Sequence, residues 1–317
     1  MKILCLFVRH GTLAYSGALE VLDRWYEKHG LLHQRQLWIL DNSLPCHLPP
    51  RTLASGAELR SGDNEAWEFS TWEQALAEAK AVNSSYDIVH FVTSAFNALY
   101  TGYLDHFFPE MLDYVIERKV CLGHVDGYEI PIQMGDLSSQ SWTRTCFFFL
   151  PWAAATSVSS WTMYRTPSLF FENPRSRRFR VDAPIDENYR SFITAWLEGD
   201  ERGGHRWHTP VGLESAETER FQRKTLAILN EHGLALTFRQ AGIRLVDFCW
   251  LHSFRTTPAS IISDPPLETL QIDMRRKLLG FMESIPLPDA VESHEIDTSV
   301  LQGPETSKDS RIKLRGI

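Results

Sequence analysis

The sequence contains no run of 18 or more apolar residues, so no segment reads as a membrane-spanning helix. Its longest apolar stretch, Cys146 to Ala155, is short and interrupted by Pro151. The N-terminal MKILCLFVRHG has one lysine and lacks a small-residue cleavage site, which reads as a first strand and not a secretory signal. Cysteine is sparse. Five thiols (Cys5, Cys46, Cys121, Cys146 and Cys249) are scattered, mostly inside apolar runs, and no Cys-x-x-Cys occurs. That pattern argues against a disulfide framework or a zinc site and predicts buried, reduced thiols in a cytoplasmic protein. Excess positive charge is missing too: 32 Lys and Arg against 40 Asp and Glu leave a net charge of -8, without the general footprint of a nucleic-acid binder. Neither a Walker A motif nor Gly-x-Gly-x-x-Gly is present, which weakens P-loop and classical dinucleotide-binding readings.

What remains is an ordinary globular composition, 43% hydrophobic and 23% charged, over 317 residues. That length suits one large domain or two modest ones. Ten tryptophans are many; they serve the core or, where exposed, offer faces on which sugar rings stack. One basic cluster, Arg175, Arg177, Arg178 and Arg180, is either a solvated loop or a patch for an anionic group.

Hydrophobic spacing predicts alternating strands and helices. Ile3–Val8 is a continuous apolar run, as expected of a strand buried on both faces. Leu19, Leu22 and Tyr26 share one face of a helix from about 16 to 29, stopped by Gly30. Leu37–Leu40 forms a second strand, and the Pro- and Gly-rich 45–62 segment a loop. Ser70 and Glu73 suggest a capping box ahead of a helix with Trp72, Ala75, Leu76 and Ala79 on its apolar stripe. Further strands fall at Ile88–Val92, Val120–Leu122, Thr145–Leu150 and Leu245–Leu251. Further helices carry Tyr100 to Val115 (bent near Pro109), 217–230 with a stop at Gly233, a short one ending at Gly242, and 267–282. Residues ~165–212 look irregular, and the tail from about 293 polar and disordered. The alternation implies an α/β fold with a mainly parallel sheet flanked by helices. Residues 1–155 would be a nucleotide-binding layer, 156–292 a helical region packed on it in one continuous domain, and 293–317 the tail. Ligands of such sheets sit beyond the carboxyl ends of the strands. Those ends are Arg9-His10-Gly11, Asp41-Asn42-Ser43, Thr93-Ser94 and Gly123-His124.

Three segments carry a resemblance. ILDNSLP at a strand end precedes SGDNEAWEFSTWEQAL at a helix start, and YDIVHFVTS follows on the next strand. Their order and spacing resemble bacterial polysaccharide-biosynthesis glycosyltransferases of the GT-A type. The later QRKTLAILNEHGLALTFRQAGI is similar to a Lys…Ala-Ile…Glu…Gly helix pair in the same proteins, so the likeness spans roughly residues 1–250. The resemblance implies a nucleotide-sugar donor, a saccharide acceptor and no nucleic-acid partner; with no spanning helix, any membrane contact would be peripheral. It places Asp41, Asn42, Asp63 and Asn64 near base and ribose, although each pair is also a turn former. Glu68, Phe69 and Ser70 fall where helix N–H groups could meet a phosphate. One departure stands out. Thr93 and Ser94 occupy the place where a metal-dependent member carries an acidic pair for Mg²⁺ or Mn²⁺, and no Asp-x-Asp occurs. Either Arg9, His10, Arg144 or the arginine cluster meets the diphosphate charge, or the activity is lost and the chain is a binding partner in polysaccharide assembly. An inverting transfer needs a carboxylate base; Asp126, with Glu129 behind it, is the candidate, and a hairpin-turn role is its alternative. Trp142 and Arg144 are candidates for the acceptor side, the tryptophan equally for the core.

Two other motifs compete. FVRHGT is similar to the opening of histidine phosphatases, which would make His10 a nucleophile and Arg9 a phosphate clamp, although that family's later motifs are missing. His205 and His208 have a spacing compatible with a metal, but a surface loop explains them as well.

Overall fold

The computed structural model describes residues 1–279, apart from 14, 47, 83–84, 100–101 and 199–216. In chain order the main elements are β1 (Ile3–Arg9), α1 (Ala18–Lys28), β2 (Arg35–Asp41), β3 (Arg51–Thr52), β4 (Glu58–Ser61) and α2 (Trp67–Ala81). They continue with β5 (Ile88–Thr93), α3 (Phe96–Leu99), α4 (Met111–Arg118), β6 (Cys121–Gly123), β7 (Val125–Met134), β8 (Leu137–Thr143) and β9 (Phe147–Pro151). The rest comprises α5 (Trp152–Ser157), α6 (Glu187–Glu198), α7 (Thr218–Gln240), β10 (Leu245–Asp247), α8 (Phe248–His252) and α9 (Glu268–Leu279).

The apolar run of β1 is buried on both faces because a helical layer covers each. Ile3, Cys5 and Phe7 meet Leu22, Trp25 and Tyr26 of α1 and residues of α4 and α8. Leu4, Leu6 and Val8, pointing oppositely, meet Phe69, Trp72 and Leu76 of α2 and Leu234 and Phe238 of α7. A third cluster joins the hairpin to the late helices through Tyr128, Ile132, Tyr189, Ile193, Phe221 and Leu229.

Eight strands form the main sheet in the order β10-β6-β9-β5-β1-β2-β4-β3, and β7 and β8 form a separate two-stranded sheet. The fold is α/β, but the sheet is mixed and not mainly parallel. β9 lies antiparallel between β5 and β6, and the edge strand β3 is antiparallel to β4. Connectivity supplies the reason. The chain leaves β6 at the carboxyl edge, forms the β7–β8 hairpin there, and re-enters from that edge, so β9 must run against its neighbours.

Several local expectations change. The 45–62 segment contains β3 and β4, and residues 125–143, which carry no element in the sequence reading, form the β7–β8 hairpin. Residues 187–198 are helical within the stretch expected to be irregular, whereas the described part of 100–115, expected to be one bent helix, holds a 3₁₀ turn (Gly102–His106) followed by α4. α7 runs unbroken through Gly233 because that glycine is a packing position: a Cβ there would lie 2.8 Å from the Met163 sulfur. Ser70 is not an N-cap. It sits inside α2, accepts from the Ala66 N–H at 2.9 Å and donates to Asp63, while Glu73 pairs with Arg165. The strand expected over 245–251 stops at Asp247, whose carboxylate caps α8 through the Cys249 and Trp250 N–H groups. The proposed 293–317 tail and His205 and His208 lie outside the described residues.

Candidate active site

From β1 the chain steps outward through β2 and β4, then crosses back through α2 to β5 on the other side of β1. Such a reversal opens a crevice at the carboxyl ends of the two diverging strands, here beside Arg9 and Thr93-Ser94. Because β9 is reversed, its amino end, with Arg144 and Thr145, comes to the same edge.

The β1–β2–β4 side of this edge is latched by its own polar residues. Asp41, 3% exposed, accepts from Arg9 Nε at 2.8 Å, Gly11 N at 2.9 Å, Ser43 N at 3.0 Å and Ser43 Oγ at 2.7 Å. Burial alone would raise its carboxyl, but these donors override that and hold it below the usual carboxylate range. Asp41 therefore serves as a clamp between strand ends, which leaves little of it for a ribose. Asn42 donates to Asn64 Oδ1 and the Trp67 carbonyl, both at 3.3 Å, and accepts from Thr71 Oγ1 at 2.8 Å. The loop it grips is strained: Asn64 has φ 53° and Trp67 φ 59°. Surrounding bonds must over-determine such backbone, a condition found disproportionately at functional sites. Asp63 and Asn64 are partly exposed on this loop. Thr93 and Ser94 are also partly exposed, tied by backbone bonds to Cys146 and Val8. His10 stands exposed, and the neighbouring Arg9 turns to Asp41 and not to a pocket beside the histidine.

Across the crevice, Asp126 is not placed as a base. It accepts from His124 at 3.1 Å, Arg144 Nε at 2.5 Å and Arg275 at 3.3 Å. Burial would raise its carboxyl, but hydrogen bonding and charge from His124 and Arg144 hold it far below the ordinary range. A carboxylate so stabilised is a poor proton acceptor at neutral pH. Arg275 of α9 also binds Asp247 at 2.5 Å, which ties the hairpin base to the last described helix. Glu129 lies on β7, and its side chain is outside the described residues. Trp142 packs on Tyr128 and His232, with ring centroids at 4.4 and 4.3 Å, and so belongs to the hairpin core more than to an open acceptor face. In the arginine cluster, Arg178 and Arg180 pair with Glu172 and Asp182.

The groups best suited to proton transfer are elsewhere on this edge. Glu231 of α7 accepts from the Thr145 backbone N–H at 2.9 Å and the Thr145 hydroxyl at 3.1 Å. Burial pushes its carboxyl up to about 7, with the nearby Glu68 charge adding to the effect and Thr145 and Arg144 opposing it. Glu68, in the first turn of α2, is also raised by burial, against its own backbone N–H, the Lys224 charge and the nearby Thr145 side chain. Lys224, one face of α7 removed by two turns from Glu231, is brought down to about 8 by burial despite Glu68. Its ammonium lies 3.9 Å from the Trp67 ring centroid. A cluster of groups with shifted proton affinities marks a candidate acid–base site. A recess of about 110 Å³ adjoins Trp67, lined also by Tyr164, Arg165 and Arg223.

Sequence reasoning noted Glu68 only for its helix position and missed Glu231, Lys224 and Thr145 as chemistry. The signal was the spacing of Lys224 and Glu231, seven residues apart on a helix and so on one face. Among the described residues no three His, Cys, Asp or Glu side chains converge in a way that would hold a metal ion, and no helix is long and apolar enough to cross a membrane. No family model, curated protein or solved structure matches the chain.

Proposed function

We propose that the chain is a GT-A-type glycosyltransferase that moves a sugar from a nucleotide sugar to a saccharide acceptor. The observation that carries this reading is Glu231, a partly buried carboxyl that accepts from the Thr145 N–H and hydroxyl at the carboxyl edge, where desolvation raises its affinity for a proton. In an inverting transfer the acceptor hydroxyl attacks the anomeric carbon, the bond to the diphosphate breaks, and a carboxylate takes the hydroxyl proton. Glu231 replaces Asp126 in that role. Arg144 and Lys224 supply positive charge close to it, where a leaving diphosphate would gain from a preorganised cation. Asp63 and Asn64, on the strained loop, are the polar groups offered to the nucleoside. The 45–62 excursion and the β7–β8 hairpin would flank donor and acceptor.

The test is a panel of UDP-, GDP-, dTDP- and CMP-sugars, with saccharide acceptors, with and without Mn²⁺, followed by calorimetry and product analysis. Turnover is expected with one donor class. Glu231→Gln should cut transfer by about 10²-fold or more while leaving donor affinity within roughly threefold of wild type. Absence of binding to every donor would refute the reading. Thr93-Ser94, standing in place of acidic residues, favours a second reading, a non-catalytic binding partner in polysaccharide assembly; donor binding without transfer or hydrolysis would select it.

A further inference from the structure

We propose that the recess beside Trp67 is a subsite for an acidic sugar, with a pyranose ring against the Trp67 indole and its carboxylate held by Arg223. This rests on the glycosyltransferase reading for the class of ligand and names the sugar chemistry such an enzyme would select. The recess can nevertheless be probed with free sugars, without any turnover.

Three stretches of chain wall the recess: the loop entering α2 with Trp67, the segment after α5 with Tyr164 and Arg165, and one face of α7 with Arg223 and Asn230. Its volume of about 110 Å³ is several times the roughly 10–15 Å³ that admits one water, enough for the edge of a sugar ring and its substituent. The walls are fixed by their own bonds. Asn230, 2% exposed, accepts from the Tyr164 N–H at 2.9 Å and donates to the Tyr164 carbonyl at 2.8 Å. Arg165 donates to Glu65 at 3.1 Å and Glu73 at 3.0 Å, which ties its segment to the head of α2. The Lys224 ammonium, 3.9 Å from the Trp67 ring centroid, steadies the indole from one side. A pocket held this way spares a ligand the cost of ordering its site.

Two observations select the ligand. Trp67 holds φ 59°, an outlier for so bulky a residue, yet it is only partly buried, so core packing does not offset the strain. Backbone held in this region positions a side chain for contact beyond the core. An indole face suits the apolar C–H face of a pyranose, and Tyr164 adds a second aromatic wall. The charges of the lining then give the sign. Of Glu65, Arg165 and Arg223, the first two pair with each other, and Arg165 also holds Glu73. Arg223 has only Glu219, at 3.9 Å and with both side chains well exposed (49% and 80%), a pairing of little strength. Its guanidinium therefore retains capacity for a ligand, and its fork of N–H groups matches a carboxylate.

Calorimetry and saturation-transfer NMR on the full chain test this with two sets of probes. The first is the methyl glycosides of glucuronic and galacturonic acid against those of glucose and galactose; the second is the UDP-linked forms of the same sugars. At least one uronic acid should bind about tenfold or more tightly than its neutral counterpart, the scale of one hydrogen bond to a charged group. Arg223→Gln should abolish that preference and Arg223→Lys should retain part of it. Trp67→Gly, which accepts the positive φ, should weaken binding of the acid about threefold or more. Preference among the methyl glycosides assigns the subsite to the acceptor; preference confined to the UDP-linked forms assigns it to the donor. The proposal is overturned by no preference for the acid in either set, by a preference that survives Arg223→Gln, or by binding indifferent to Trp67→Gly. Acid preference among the free glycosides while every nucleotide sugar fails to bind would instead refute the glycosyltransferase reading and leave the subsite standing.

Discussion

Replacing Arg275 with methionine removes a cation and keeps most of the side-chain volume. Arg275 is 8% exposed and donates to the Val125 carbonyl and Asp247 Oδ2, both at 2.5 Å, and to Asp126 at 3.3 Å. Asp247 is fully buried, so the substitution strands a carboxylate that counter-ions cannot reach. Breaking a buried pair from one side costs about 3–5 kcal/mol. Asp247 still accepts from the Val125, Cys249 and Trp250 N–H groups, and Asp126 keeps Arg144 and His124, so about 3 kcal/mol is expected. At roughly 2–4 °C per kcal/mol for chains of this size, the melting temperature should fall by about 6–12 °C. Urea unfolding at two ionic strengths is the measurement, with the loss nearly independent of salt. A loss under about 1 kcal/mol, the scale of exposed ion pairs, would refute the view of this network as buried and structural.

Other perturbations follow from the same geometry. Gly62→Ala would place a Cβ 1.9 Å from Asn42 Oδ1; overpacking of this kind should cost about 1–3 kcal/mol and weaken donor affinity, read by denaturation and calorimetry. Gly233→Ala should cost under about 1 kcal/mol, because the atoms it meets are flexible methionine ends and helix propensity gains. Asp41 and Asp126 have folded-state affinities for protons below the unfolded value. Their contribution is therefore complete above about pH 4 and lost as pH falls below it, and Asp126→Asn should flatten that acid slope. Glu231 has the opposite sign: raised to about 7, it favours the folded state below about pH 4 and loses that advantage as pH rises toward 7. Glu231→Gln should consequently melt higher than wild type at pH 8 while transferring sugar about 10²-fold more slowly or worse.

The strands most readable from sequence were those buried on both faces. Ile3–Val8 is a continuous apolar run and Ile88–Val92 one interrupted only by His90, and the meaning of such runs is independent of context. Direction was not readable, because FFFLP looks the same whichever way it runs; β9 is antiparallel only because a hairpin precedes it. That hairpin, VDGYEIPIQM and LSSQSWT, was missed because its alternation of apolar and polar residues is weak and broken by a register shift. Of the candidate site, the turn residues at strand ends were visible as residue types, but the partners that consume Asp41 and Asp126 were not. Arg275 reaches Asp126 from 149 positions away, and no local pattern announces that. Glu231 was hidden for the reverse reason. Inside LNEHGLAL it reads as one acid among helix formers, and its character comes from Thr145, 86 residues earlier.

The reversed strand β9 also governs how the molecule must assemble. It is the element that joins β1–β5 to β6 and β10, pairing Val89 with Leu150 and Leu122 with Phe149. Before it docks, two half-sheets present unsatisfied edges, and such edges invite pairing with other chains. Because Thr145 lies at the entrance to β9, the acid–base cluster comes together only as that seam closes. The seam that β9 closes and the placement of Thr145 beside Glu231 thus depend on the same segment of chain.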